Sequence, residues 1–230
     1  MIQVRNTCIS ISRLSISLLL LLTVSISVSA QKLFRLERDS VPVFRGFQAS
    51  FDLVGVAMLQ LGDYGQYEGA LRLNLHDQWF PIVELGVGKA SHLDDVVTHL
   101  SYKTTAPYFR AGVDFNLLKN KHTPNRLYGG FRYAFTSYKV DLWRDNLPDP
   151  VWLWDTSFGV RDEQCSQHWL EAVLGLDAKI VGPLHLGWSV RYKLRLMHND
   201  GVMGRTWYVP GYGTSDETKL GGTFNVIFEL

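Results

Sequence analysis

The sequence predicts an all-β protein: an eight-stranded antiparallel up-and-down transmembrane β-barrel behind an N-terminal signal peptide. Three observations predict it. Apolar and polar residues alternate singly over eight segments, and the connections between those segments sort into short and long. Mean hydropathy is −0.02, high for a chain with 20% charged residues, yet beyond residue 30 no apolar run approaches the roughly 20 residues of a membrane helix. The 23 Lys and Arg against 22 Asp and Glu exclude a basic nucleic-acid binder and an acidic tail protein, and 46% hydrophobic residues exclude a disordered chain.

Residues 1–30 read as a secretory signal peptide. Arg5 and Arg13 begin it, residues 14–28 are uncharged, and Val28, Ser29 and Ala30 before Gln31 form the small-x-small cleavage pattern. Cys8 and Cys165 fall on either side of the cut, so the exported chain keeps one thiol and no intramolecular disulfide. Residues 31–48 are expected to form a periplasmic lead-in and 49–230 the barrel.

The strand signal is clearest at 184–197, where Leu184, Leu186, Trp188, Val190, Tyr192, Leu194 and Leu196 alternate with His185, Gly187, Ser189, Arg191, Lys193, Arg195 and Met197. The same alternation runs through 67–75, 109–117, 127–136, 170–179 and 219–230, and less regularly through 49–60 and 79–89. Short connections are expected near 63–66, 76–78, 119–125 and 181–183, and long ones at 90–105, 141–164 and 198–218. With an exported N-terminus at the inner rim, every long connection falls on the outer side, the asymmetry of outer-membrane barrels.

The apolar face is expected to meet lipid and the polar face the lumen. The polar face carries Asp52, Glu68, Glu84, Asp114, Glu171, Asp177 and Glu229 against Arg72, Arg110, Arg132, Lys179, Arg191, Lys193, Arg195 and Lys219, with glycines between them. Mixed signs in a narrow interior call for pairing, because an unpaired buried charge is costly. A turn centred on Gly182 sets Glu171 opposite Lys193 and Lys179 opposite His185, with Arg191 diagonal to Glu171. Tyr67, Trp79, Phe80, Tyr128, Tyr138 and Trp143 lie near strand ends, where aromatic girdles form. An interior this small is filled by side chains, so little channel activity is expected.

The segments VPVFRGFQASFDLVG at 41–55, FPIVELGVGKA at 80–90, and TAPYFRAGVDFNLLKNKH with NRLYGGFRYAFTSY at 105–138 resemble an uncharacterised family of Bacteroidetes outer-membrane proteins, a domain of unknown function. More broadly, the chain resembles small eight-stranded barrels of the OmpA and OmpX type. The resemblance implies fold and location: contact with outer-membrane lipid and lipopolysaccharide, and passage through the barrel-insertion machinery. Such barrels usually finish on an aromatic residue; here Leu230 is last, with Phe228 and Phe224 on the same face.

No general catalytic motif, cofactor motif or standard metal spacing occurs. The stretch from Arg195 to Gly201 faintly resembles the active-site strand of outer-membrane lipid A deacylases, but Asp200 stands where the attacking serine would be two residues after His198. A lipid-modifying enzyme with His198 as base is the competing class, and a soluble lipocalin-like barrel the third. His92, Asp94, Asp95 and His99 include ligand types for a divalent cation, though a solvated loop is the plainer expectation. Trp152, Trp154, Phe158, Trp207, Tyr208 and Tyr212 in the outer loops offer a surface for an unidentified partner or glycan. The expectation is a non-enzymatic barrel acting structurally or through those loops.

Overall fold

A computed structural model describes residues 42–148 and 155–230. The signal peptide at 1–30, most of the lead-in, and Trp152 and Trp154 lie outside the described residues. The elements are β1 (Phe44–Asp52), α1 (Leu53–Leu61), β2 (Tyr64–Leu75), β3 (Trp79–His92), β4 (Ser101–Asn116), β5 (Arg126–Pro148), β6 (Asp155–Val181) and β7 (Leu184–Asn199), then a 3₁₀ turn (Gly201–Met203), β8 (Tyr208–Val209), β9 (Gly213–Thr214) and β10 (Thr218–Glu229). Eight strands close into a barrel in the order β1-β10-β7-β6-β5-β4-β3-β2, while β8 and β9 form a separate small hairpin. Every pairing in the barrel is antiparallel.

Both ends of the barrel chain meet at one rim, where Gln48 pairs with Glu229. That rim also carries the tight turns. His76 and Asp77, both at positive φ (59° and 55°), turn β2 into β3, and Gly182 at φ 53° turns β6 into β7. The Gly182 turn sets Glu171 opposite Lys193 and Lys179 opposite His185.

Four segments differ from their sequence expectation in extent or kind. The barrel starts at Phe44, inside the stretch assigned to the lead-in. The expected strand over 49–60 ends at Asp52, whose carboxylate accepts the N–H groups of Val54 (3.1 Å) and Gly55 (3.0 Å) and caps α1. After that cap the run LVGVAMLQL has only one polar residue, Gln60, so no period is visible in it. The loop expected over 141–164 is mostly strand, because β5 and β6 remain paired from Val140 with Glu163 out to Pro148 with Asp155. Beyond Cys165 the β6 ribbon projects past β7, roughly 33 Å at about 3.3 Å per residue. Finally, the loop expected over 90–105 shrinks to 93–100.

Outside, the barrel is apolar. Phe109, Leu127, Phe131, Tyr133, Leu170, Leu174, Leu176, Trp188, Val190, Tyr192 and Leu194 are all exposed, Phe131 by 69%. Inside, the strands bury Arg, Asp and Glu. A soluble barrel buries its apolar face; here the faces are inverted, as lipid contact requires. Of the six expected girdle aromatics, Tyr67 is exposed and Trp79 and Trp143 are half-buried, but Phe80, Tyr128 and Tyr138 are buried in the lumen. Tyr128 shares parity with Arg132 on β5, and Phe80 with Glu84 on β3, so both must point where the charges point.

Leu174→Arg, at mid-height of the belt, is expected to lower unfolding stability in lipid vesicles by about 2–4 kcal/mol, and Ile180→Arg near the rim by about 0–1 kcal/mol. Equal effects at the two heights would contradict the placement of the belt.

Candidate functional site in the barrel lumen

The lumen has three layers. At the terminal rim the His76 turn folds across the opening. Asn74 Nδ2 donates to Asp77 Oδ1 (2.7 Å), the Asp77 N–H donates to Asn74 Oδ1 (2.9 Å), and Asn116 Nδ2 donates to the Asp77 carbonyl (2.9 Å). Beside it Arg126 and His185 meet the Glu229 carboxylate at 2.7 and 3.2 Å.

The middle layer is ionic. Arg72 bridges Asp177 (2.7 Å) and Asp114 (3.0 Å), and Arg132 links Asp114 (3.0 Å) to Glu84 (2.7 Å). Arg191 joins Glu84 (2.9 Å), Glu68 (3.1 Å) and Glu171 (3.7 Å). Arg110 meets Glu84 (3.1 Å), Glu171 (3.0 Å) and, closely, Glu68. With Lys193, five buried cations (Arg72, Arg110, Arg132, Arg191, Lys193) face five buried carboxylates (Glu68, Glu84, Asp114, Glu171, Asp177). Glu84 alone touches three guanidinium groups. Glycines provide the width: a Cβ at Gly130 would strike the Asp114 carboxylate, and one at Gly175 would lie 2.5 Å from the Tyr128 ring.

The far layer is aromatic. Tyr102, Tyr108, Tyr138, Cys165, Trp169, Tyr208 and Tyr212 pack in one buried cluster. The 201–217 connection folds inward, and its β8–β9 hairpin enters the mouth as a plug. The Gly211 carbonyl accepts from Arg110 Nη2 (2.6 Å) and Lys193 Nζ (2.7 Å), while Tyr102 Oη donates to the Tyr208 carbonyl (2.6 Å). Gly211 sits at φ 80°, and a Cβ there would come within 2.5 Å of the Tyr108 ring, so only glycine fits.

Most of the lumen residues expected from sequence meet here: Arg72, Glu84, Arg110, Asp114, Arg132, Glu171, Asp177, Arg191 and Lys193. Arg195 does not join them; it is half-buried at the mouth and reaches Ser215 Oγ at 3.5 Å. Lys179 is exposed at the terminal rim, beside the β6–β7 irregularity. Of the outer-loop aromatics, Tyr208 and Tyr212 are buried in the plug rather than displayed, Tyr208 tilted against Tyr64 and Tyr212 edge to face with Trp169. Trp207 remains 38% exposed, flanked by Tyr64, Tyr102 and His92. Sequence reasoning missed Tyr108, which donates to Glu68 (2.6 Å), and Trp169, whose indole donates to Glu171 (2.7 Å). Tyr108 shares the parity of Arg110 and Trp169 that of Glu171, which would have found them.

The acidic and histidine residues of the 92–99 stretch divide into separate contacts. His92 bridges Asp63 (2.6 Å) and Asp95 (3.2 Å), while His99 meets Asp94 (3.0 Å). No group of three or more potential metal ligands occurs among the described residues. His198 Nε2 lies 3.6 Å from Asp200 Oδ2, an imidazole and a carboxylate with an acid at the position where a serine nucleophile would be needed.

A family model matches residues 11–229, nearly the whole chain. The chain belongs to DUF6048, a domain of unknown function. No curated protein matches this DUF6048 chain by sequence. Among solved structures it is similar to Ail, the attachment invasion locus protein of Yersinia pestis, at 12% identity and a TM-score of 0.41, over 80% of this chain and 98% of that one. It is likewise similar to Acinetobacter baumannii CarO, at 14% identity and 0.42 over 84% and 100%. The N-terminal β-barrel domain of Pseudomonas aeruginosa OprF gives 12% and 0.35 over 81% and 99%. Likenesses of this extent carry no argument about activity.

Two outcomes are expected at this site. Glu84→Gln strands three buried guanidinium groups and should lower unfolding stability in vesicles by about 3–5 kcal/mol. Lys139→Gln, at the exposed pair with Asp162, should change it by less than about 1 kcal/mol. At the far-rim end of β3, hydrogen bonds to Asp63 and then Asp95 raise the His92 pKa above its ordinary value, and in the loop after it the main-chain N–H groups of Thr98 and Val97 hold Asp95 well below the carboxylate range. A raised histidine contributes stability that is complete below its unfolded value, about 6.5, and lost as pH rises through the folded one. Amide exchange of residues 93–100, corrected for intrinsic rates, should therefore lose protection on going alkaline, and Asp95→Asn should weaken that dependence.

Proposed function

We propose that this DUF6048 protein is a non-enzymatic outer-membrane barrel, exported by its N-terminal leader, with a closed lumen and a structural or surface-contact role at the far rim. The observation that carries the reading is the inverted barrel: an apolar exterior around a middle layer of five cations matched to five carboxylates. Neither a soluble ligand barrel nor an open pore has a use for that arrangement. The two tightest turns, at 76–78 and 182–183, lie at the terminal rim and the longest described connection, 200–217, lies at the other, which supports an outward-facing far rim.

The surface role narrows to one groove. A cavity of about 560 Å³ at the far rim has Trp207 and Tyr102 against it, Leu100 and Leu142 along it, and His92, Asp95, Arg205 and Asp216 at its edges. An indole face bordered by hydrogen-bonding side chains suits a sugar or a peptide loop. The absence of a hydroxyl nucleophile at position 200 supports the non-enzymatic reading.

Cell fractionation and planar-bilayer recording test the core of this. The protein should require detergent for extraction and show no stepwise conductance comparable to a general porin; release without detergent or porin-like steps would overturn it. For the groove, cells displaying wild-type protein should retain a member of an immobilised glycan set that Trp207→Ala cells release, and identical retention by both would remove the groove from the account.

A further inference from the structure

The barrel wall is incomplete on one side. Pairing between β1 and β10 runs from Gln48 with Glu229 to Asp52 with Asn225, so no β1 residue stands opposite 218–224. Pairing between β1 and β2 stops at Phe51 with Gly69, which leaves 64–68 paired to β3 alone. α1 lies across this gap between β2 and β10. At its lower end the Phe224 N–H donates to Asp52 Oδ1 at 3.2 Å. Leu230 and Phe47 exchange main-chain hydrogen bonds of 2.8 and 3.2 Å, and the two-residue alternation from there aims the main-chain groups of Gly222 and Leu220 into the gap.

The gap opens at the height of the apolar belt. Residues 218–224 pair with 188–194 of β7, whose outward Trp188, Val190, Tyr192 and Leu194 are all exposed. α1 carries no charged residue, as befits a helix facing hydrocarbon. A cavity of about 880 Å³ runs from the outer surface at Trp188, Leu220 and Phe224, past Met58 and Gly222, to Lys193 and Tyr212 in the lumen. That volume is within the roughly 300–1,000 Å³ of small-molecule sites. Space in the gap is real: Cβ atoms built on Gly221 and Gly222 meet nothing closer than 3.6 Å.

Charge selects the occupant. The cavity is lined by Lys219, by Lys193, whose Nζ already donates to the Gly211 and Tyr212 carbonyls, and by one carboxylate, Asp52, whose oxygens already accept the N–H groups of Val54, Gly55 and Phe224. Lys219 sits toward the far rim and Phe224 deeper in the belt. We propose that this gap is a lateral site for one acyl chain of an anionic, phosphate-bearing membrane lipid, with the chain against Met58, Leu220 and Phe224 and the headgroup near Lys219. The orientation is that of a lipid in the far-rim leaflet, polar end outward. The proposal rests on the membrane reading above.

The test uses the full-length exported protein, folded in uncharged detergent and checked by heat-modifiable mobility, with native mass spectrometry during titration with phosphatidylglycerol or phosphatidylcholine. Wild type should retain one phosphatidylglycerol with about tenfold preference. Lys219→Gln should erase most of that preference, leaving phosphatidylcholine unchanged. Gly222→Phe, or Met58→Trp from the other side should the first not fold, should abolish retention of both lipids, while Leu61→Ser outside the cavity should not. Equal retention by wild type, Lys219→Gln and the filled variants would mark the lipid as annular and overturn the site. A protein that stays soluble without detergent would instead overturn the membrane reading.

Discussion

The structure depends on one constraint: the interior of an eight-stranded barrel is only wide enough for side chains, so a charge placed there must find its counter-charge there. Arg110 is fully buried, yet it touches Glu68, Glu84 and Glu171, and the Gly211 carbonyl takes its remaining side. Replacing such a network by well-packed apolar groups can be neutral for stability, but removing one partner is not. The network is therefore best understood as a register lock, in which a strand that slips by one residue turns its charges out to lipid.

The same network anchors what covers it. Arg110 and Lys193 both donate to Gly211, so the middle layer holds the β8–β9 plug by a main-chain carbonyl rather than by a side chain. The plug in turn places Tyr208 and Tyr212 over the charges and leaves Trp207 at the surface. Lys193 and Tyr212 also line the lateral gap, so lumen, plug and wall opening share residues. Lys219 itself donates to Thr214 Oγ1 of β9, so a lipid there would lie directly against the hairpin that closes the mouth.

Much of this was legible in the sequence, for a physical reason. A strand has a period of two, and parity propagates through a tight turn, so centring a turn on Gly182 was enough to set Glu171 against Lys193. Parity would also have placed Phe80, Tyr128 and Tyr108 inside, had it been applied to aromatics as strictly as to charges; membership of a girdle depends on height, but facing depends on parity. Two features carried no period. In α1 a run of apolar residues looks alike as helix or strand, and the helix is decided by the Asp52 cap. The plug is an irregular loop whose inward fold depends on contacts more than 100 residues away, such as Tyr102 with Tyr208 and Arg110 with Gly211. Fold and lumen were therefore readable from local pattern, whereas the mouth and the gap were not.

The central claim is that the middle layer of the lumen, around Arg110 and Arg132, is a dry ionic core. Its most direct measurement is hydrogen exchange of the arginine Nε–H groups by NMR in lipid nanodiscs. Arg110 and Arg132, 0% and 2% exposed, should give resolved Nε–H signals that exchange far more slowly than that of Arg205 in the far-rim loop. Exchange of Arg110 and Arg132 as fast as Arg205 would mean that water passes through the barrel, and would contradict the account.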